Sequence, residues 1–244
     1  MAYRIDYACA SLRGALRLRN QDNLFCDGFF LPADHDGTAG LISGSAVPGV
    51  PCFFAVFDGL GGEPCGETAS FLAARTLSAA DPQGGEAALS AACAEANRLI
   101  VRFAEENRLS ACGTTAAMLL LDAGSACWCT IGDSPLCLLH QGDLCRLSPD
   151  DLYPPVGNRK PALLQYLGIP PRRMRIAPHT GSAPACPGDT WLLCTDGLSD
   201  LLPPARIRDL VSGLPAAAAG DRLLRAAAES GAQDDVTFLL LSLR

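Results

Sequence analysis

The sequence predicts an α+β fold in which two antiparallel sheets pack face to face and helices cover the outside. Three observations carry that expectation. Apolar runs and amphipathic stretches alternate in blocks: strands, paired helices, strands, paired helices, strand. The connections Asp122–Ser125 and Gln141-Gly142-Asp143 are hairpin-like and join neighbouring strands directly. Phe53–Phe57 and Trp191–Cys194 are too short and too uniformly apolar to be anything but strands buried on both faces.

Taken in order, Tyr3–Ala10 alternates enough to open the fold as a strand, and Asn23–Phe30 follows as a second after a polar turn. Residues 31–51, rich in Gly, Pro and Ser and containing His35, read as a surface loop. Phe53–Phe57 comes next. Glu67–Ala80 then sets Ala69, Leu72, Ala73, Thr76 and Leu77 on one helical face, and Glu86–Asn107 repeats the pattern from Leu89 to Phe103. Asp81–Gly85 breaks the two helices apart. Thr115–Leu121, Ala126–Ile131 and Leu136–His140 are three strands in close succession. Residues 148–190 are turn-rich, around a short helical candidate at Pro161–Leu167. Trp191–Cys194, helices near Pro204–Ser212 and Asp221–Ser230, and a closing strand at Val236–Leu243 complete the series. No repeat or linker separates two cores, so residues 1–244 are expected to form one domain.

Composition narrows the functional classes. Apolar residues make up 49% and charged residues 18%, which describes a buried globular core rather than a disordered chain. The net charge is −7, and the longest basic cluster is Pro171–Arg175, which argues against nucleic acid. No apolar run approaches the roughly 20 residues of a membrane span, and the N-terminus shows no secretory pattern. Most of the twelve cysteines sit inside apolar runs, where they act as small core residues, and a reducing cytoplasm is expected. Cys127 and Cys129 share one face of a strand and read as packing. His35, His140 and His179 match no ligand spacing and read as loop or surface residues.

The chemistry is carried by short acidic turns beside apolar runs. Phe53–Phe57 leads into Asp58-Gly59-Leu60-Gly61-Gly62, Ala126–Ile131 into Gly132-Asp133-Ser134, and Trp191–Cys194 into Thr195-Asp196-Gly197; Asp234-Asp235 opens the last strand. A strand ending in a carboxylate and then glycine puts negative charge at the rim of a packed sheet, beside backbone free to approach an ion. Several such ends brought together cost too much unless cations sit among them. Each motif alone has an ordinary role as a turn or helix cap; their order and shared place at strand ends do not.

That ordered set resembles the type 2C metal-dependent serine/threonine protein phosphatases over essentially the whole chain, Arg17 to Leu240. The matching motifs are Arg17–Asp22, Asp58–Gly62 followed by Gly66–Ser70, Gly113–Thr115, Gly132–Ser134, Cys194–Leu198 and Asp234–Thr237. The resemblance implies a four-layer α-β-β-α sandwich with two Mn²⁺ or Mg²⁺ ions at one end. By position, Asp58 would bridge both ions, the Gly59 carbonyl would bind one, and Asp196 and Asp234 would hold the other. Asp22 would orient metal-bound waters and Arg17 would meet the substrate phosphate. Asp133 and Asp200 match positions that help hold a third, weaker ion in bacterial relatives. Hard oxygen ligands suit such ions, and two of them roughly 3.5–4 Å apart make a shared hydroxide that attacks phosphorus in line.

Four departures stand out from the family pattern. Gln21, which by position is a candidate contact to the second ion, replaces a Glu that contacts it directly or through water. Asp235 replaces the usual Asn and adds negative charge nearby. Pro135 replaces an Arg after Gly-Asp-Ser, and the segment between Leu147 and Gly168 is much shorter than the family's mobile flap. The expectation is therefore a cytoplasmic, monomeric phosphatase of phosphoserine and phosphothreonine in phosphorylated proteins, the substrates of a partner Ser/Thr kinase, with no nucleic acid or membrane. Two other readings stand beside it. One is a pseudophosphatase-type module that binds phosphoproteins without turnover, supported by Gln21 and the short flap but opposed by the retained Asp58, Asp196 and Asp234. The other is a phosphatase of small phosphomonoesters.

Overall fold

A computed structural model describes residues 3–47, 49–61, 65–155, 157 and 160–244. Two six-stranded antiparallel sheets face one another. The first runs β4 (Ile42–Ala46), β1 (Ile5–Leu12), β12 (Val236–Leu243), β11 (Thr190–Cys194), β8 (Leu136–His140) and β9 (Asp143–Arg146). The second runs β10 (His179–Pro184), β7 (Ser125–Ile131), β6 (Ala116–Asp122), β5 (Cys52–Phe57), β2 (Asn23–Cys26) and β3 (Phe29–Phe30). Helices α1 (Gly66–Ser78) and α2 (Gly85–Glu106) cover the second sheet, and α4 (Pro204–Val211) and α5 (Ala216–Glu229) cover the first; a single turn, α3 (Asp196–Ser199), follows β11. No described helix is long and apolar enough to cross a membrane.

The strand sequences dictate this layering. In β5, Phe53, Ala55 and Phe57 pack toward α1 and α2, while Cys52, Phe54 and Val56 point into the space between the sheets. In β12, Val236, Phe238 and Leu240 face α4 and α5, while Leu239, Leu241 and Leu243 enter that same central layer. Alternate side chains of one strand thus serve two apolar layers, so both faces must be apolar and the run reads as continuous. Burial at about 25 cal/mol per Å² makes these three layers the main source of cohesion. A tilted tryptophan pair, Trp128 of one sheet and Trp191 of the other, meets in the central layer with ring centroids 6.2 Å apart.

Several sequence expectations change. Asn23–Phe30 is two strands joined by Asp27-Gly28, both at positive φ (50° and 83°), the geometry of a tight hairpin turn. The expected loop 31–51 contains β4, and the turn-rich segment 148–190 contains β10. Pro161–Leu167 is not a helix: Leu163 bridges Leu152 and Leu167 bridges Thr114, so its leucines serve extended backbone. Cys127 and Cys129 do share a face and both pack in the α1/α2 layer.

Candidate functional site

Antiparallel pairing brings the acidic turns to one end of the sandwich. Asp58 follows β5 and Asp133 follows β7 in one sheet; Asp196 follows β11 and Asp234 precedes β12 in the other. These four side chains line one cavity of about 450 Å³ together with Arg17 and Lys160. A larger groove of about 660 Å³ lies between α1 and α2, but alanines dominate its lining and no acidic cluster faces it. The chemistry belongs to the smaller cavity, where charged groups from distant segments meet.

The loops that carry these groups are tied to one another by backbone hydrogen bonds. The Gly59 N–H donates to the Gln21 carbonyl (3.1 Å), the Thr115 N–H to the Asp58 carbonyl (2.8 Å) and the Leu60 N–H to the Gly113 carbonyl (3.0 Å). Gly59 is required by close approach, since a Cβ there would run into the Gln21 and Gly66 backbones. Thr115 and Ser134 hydroxyls pair at 2.6 Å, and the Thr115 hydroxyl also accepts from the Asp58 N–H. Gly62, the last residue of its motif, lies outside the described residues.

The half-buried carboxylates and the buried Asp22 repel one another. Burial and then the charges of Asp22 and Asp196 push Asp58 well above the usual carboxylate range. Asp22 is 1% exposed and is likewise pushed up, first by burial and then by Asp235, although the Thr195 hydroxyl donates to it at 2.9 Å. Asp133 is raised to about 6 by burial and by Asp196, against the opposing pull of Lys160. Two cations answer this charge. Arg17 pairs with Asp234 at 2.5 Å, and Lys160 pairs with Asp196 and, at 2.7 Å, with Asp200. Burial alone lowers the Arg17 and Lys160 pKa values; the neighbouring aspartates outweigh it and raise both.

Not every sequence-predicted residue meets the cavity. Asp22 lies behind it and touches Thr195; Asp200 lines an adjoining cleft with Asp196 and Asp234. Gln21 turns its amide toward Glu67 on α1 (3.2 Å), and Gly66 packs against it. Asp235 does not extend the acidic rim: its carboxylate accepts the Gly14 N–H at 2.9 Å and the Gln21 N–H at 2.8 Å, and so pins the loop that carries Arg17. Lys160, a loop lysine without periodic or motif context, could not be singled out from the sequence. The basic cluster divides, with Arg173 lining the cavity and Arg172 paired to Glu105.

Among the described residues the oxygen donors at the cavity are the carboxylates, the Thr115 hydroxyl and the phenols of Tyr153 and Tyr166, with no thiol or imidazole lining it, which fits a hard divalent ion rather than zinc. Among the described residues no three His, Cys, Asp or Glu side chains are drawn tightly enough to hold a metal as they stand. The acids ring an open cavity, each partly compensated by Arg17 or Lys160.

Comparison with known proteins agrees with this geometry. The family described as Stage II sporulation protein E (SpoIIE) matches residues 58–244. The serine/threonine protein phosphatase PstP of Mycobacterium tuberculosis is 28% identical over 251 residues, covering 97% of this chain but 44% of the relative, so the chain spans less than half of that protein. The serine/threonine phosphatase stp of Listeria welshimeri is 27% identical over 257 residues, covering 94% of this chain and 92% of its own length. The crystal structure of the PstP catalytic domain in complex with two manganese ions superposes with a TM-score of 0.79 at 28% identity, covering 99% of both chains. On its sequence match, its paired six-stranded sheets and this likeness, the chain belongs to the SpoIIE family, within the type 2C metal-dependent phosphatases.

Proposed function

We propose that this chain is a metal-dependent protein phosphatase that hydrolyses phosphoserine and phosphothreonine in phosphorylated proteins. One observation carries the reading: Asp58, Asp133, Asp196 and Asp234, from four separate segments, ring one cavity into which Arg17 also reaches. In this reading Asp58, the Gly59 carbonyl, Asp196 and Asp234 hold two Mn²⁺ or Mg²⁺ ions, and Asp133 and Asp200 belong to a weaker third position. When bound, such ions supply Lewis acidity and a water made nucleophilic near neutral pH.

The remaining work falls to the chain's own groups. Arg17, at the cavity wall beside Asp234, presents a planar guanidinium suited to two phosphate oxygens. Asp22, held by the Thr195 hydroxyl, stands buried behind the cavity, where it would orient water. Gln21 also holds the loop in place, since its backbone carbonyl accepts from the Gly59 N–H (3.1 Å) and from the Ser70 hydroxyl (2.7 Å), while its side chain is the candidate contact to the second ion. The Pro135 carbonyl accepts the Cys194 N–H (3.1 Å), a bond any residue could make there, and nothing in the structure explains the change from arginine.

A cytoplasmic signalling role fits twelve cysteines that are all unpaired, and a phosphatase of this kind needs a Ser/Thr kinase as its counterpart. We place it there as a monomer. The test is turnover of phosphopeptides and of p-nitrophenyl phosphate with Mn²⁺, Mg²⁺ or EDTA. Activity should require the metal, and Asp58→Asn should lower kcat/KM at least ~100-fold, about 2.7 kcal/mol of transition-state stabilisation. Phosphopeptide binding without turnover at any millimolar metal concentration would replace the enzyme with a binding module. Faster turnover of the small ester than of every phosphopeptide would shift the substrate class.

A further inference from the structure

We infer that Lys160 is a built-in cation whose ammonium takes the place of a third divalent ion beside Asp196 and Asp200, so that this chain works with two ions and a lysine. The inference rests on the metal-dependent reading proposed above. Lys160 Nζ donates to Asp196 Oδ2 and, at 2.7 Å, to Asp200 Oδ2. It thereby joins an acid assigned to the main ion pair with one assigned to the weaker position, and its charge also bears on Asp133.

This lysine is delivered by built structure. It lies on an irregular hairpin in which Leu152 bridges Leu163, the Tyr153 N–H donates to the Ala162 carbonyl (2.9 Å) and the Leu164 N–H to the Asp151 carbonyl (2.7 Å). Asp151, 5% exposed, fastens the hairpin to Gly132 twice. Its N–H donates to the Gly132 carbonyl (3.0 Å), and its carboxylate accepts the Gly132 N–H (3.0 Å). Gly132 immediately precedes Asp133, so one anchor holds both the acidic rim and the strand ends that present the lysine.

The chemistry distinguishes the two cations. An ammonium supplies one positive charge and three donors at no cost of stripping water from a hard ion, but it has no open coordination position with which to polarise water. A divalent ion entering beside Asp196 and Asp200 would meet that charge at contact range and have to displace it. The short segment between Leu147 and Gly168 would then be more than a truncated flap: it carries its own counter-ion.

The experiment is a Mn²⁺ titration of the wild type, Lys160→Met and Lys160→Met/Asp200→Asn, with free Mn²⁺ read by electron paramagnetic resonance and heats by calorimetry. The wild type should bind two ions. Lys160→Met should add a third, at least tenfold tighter than any third event in the wild type, about 1.4 kcal/mol, and the double variant should lose it. Three ions of equal strength in wild type and Lys160→Met, two in both, or a third that survives Asp200→Asn would each overturn the inference while leaving the metal-dependent reading intact. No Mn²⁺ bound by any of the proteins would overturn both.

Discussion

Replacing Asp151 with alanine should be one of the most damaging single changes outside the apolar layers. Its buried carboxylate accepts three hydrogen bonds: the Gly132 N–H at 3.0 Å, Gln165 Nε2 at 2.8 Å and His179 Nε2 at 2.8 Å. The Gly132 amide is buried and would be left without an acceptor, at about 1–3 kcal/mol. Gln165 and His179 are partly exposed and can turn to water, so their share is smaller, about 0.5 kcal/mol each. The total is about 2–4 kcal/mol, or roughly 4–16 °C in melting temperature at ~2–4 °C per kcal/mol for a chain of this size. Thermal melts of Asp151→Ala, His179→Ala and Gln165→Ala would measure it, with amide exchange at Gly132 as the local readout. A melting temperature within 1 °C of wild type, or a loss no greater than that of His179→Ala, would refute the argument that this carboxylate anchors the hairpin.

Two further outcomes follow from neighbouring contacts. Gln21→Glu would set a second carboxylate against Glu67, where the amide now donates at 3.2 Å; it should lower stability in EDTA by about 1 kcal/mol through like-charge contact at the surface, and Mn²⁺ should recover most of that loss in parallel melts. His35 accepts the Gly37 N–H through Nδ1 (3.0 Å) and lies 2.9 Å from the Asp22 carbonyl through Nε2, which fixes the neutral ring with its proton on Nε2. Burial lowers its pKa in the folded state despite that carbonyl. The stability it contributes is therefore complete above the unfolded value of about 6.5 and is lost as pH falls from there toward the folded value. Urea midpoints at pH 7.5 and 5.5 should show a larger drop for wild type than for His35→Gln, and equal drops would contradict the assignment.

How much of this was readable beforehand follows from burial. β5, β6, β11 and β12 are covered on both faces, so their sequences carry the apolar runs Cys52–Phe57, Ala116–Leu121, Trp191–Cys194 and Phe238–Leu241. β4, β9 and β10 are edge strands with most of their residues at least partly open to water, and sequences such as Ile42-Ser43-Gly44-Ser45-Ala46 look like loop. The leucines at 163, 164 and 167 carried helical spacing, but a run bounded by Pro161 and Pro170 is too short for periodicity to choose between helix and bridge. In the site, Asp58, Asp133 and Asp196 were visible because each follows an apolar strand beside glycine, and Asp234 because it stands just ahead of one. Lys160 was not, because its importance lies in a partner 36 residues away. Asp235 was visible as a departure, but its charge is directed at backbone amides of residues 14 and 21, which only the folded chain brings near.

The acidic rim belongs half to each sheet: Asp58 and Asp133 hang from one plate, Asp196 and Asp234 from the other. Its width is set by how the two plates are spaced and slid, and that spacing is decided by bulky side chains such as Phe54, Trp191 and Leu241 in the layer between them. Residues buried far from any solvent thus act as shims for a gap at the surface, and a change of one methylene in that filling is transmitted to the distance between facing carboxylates.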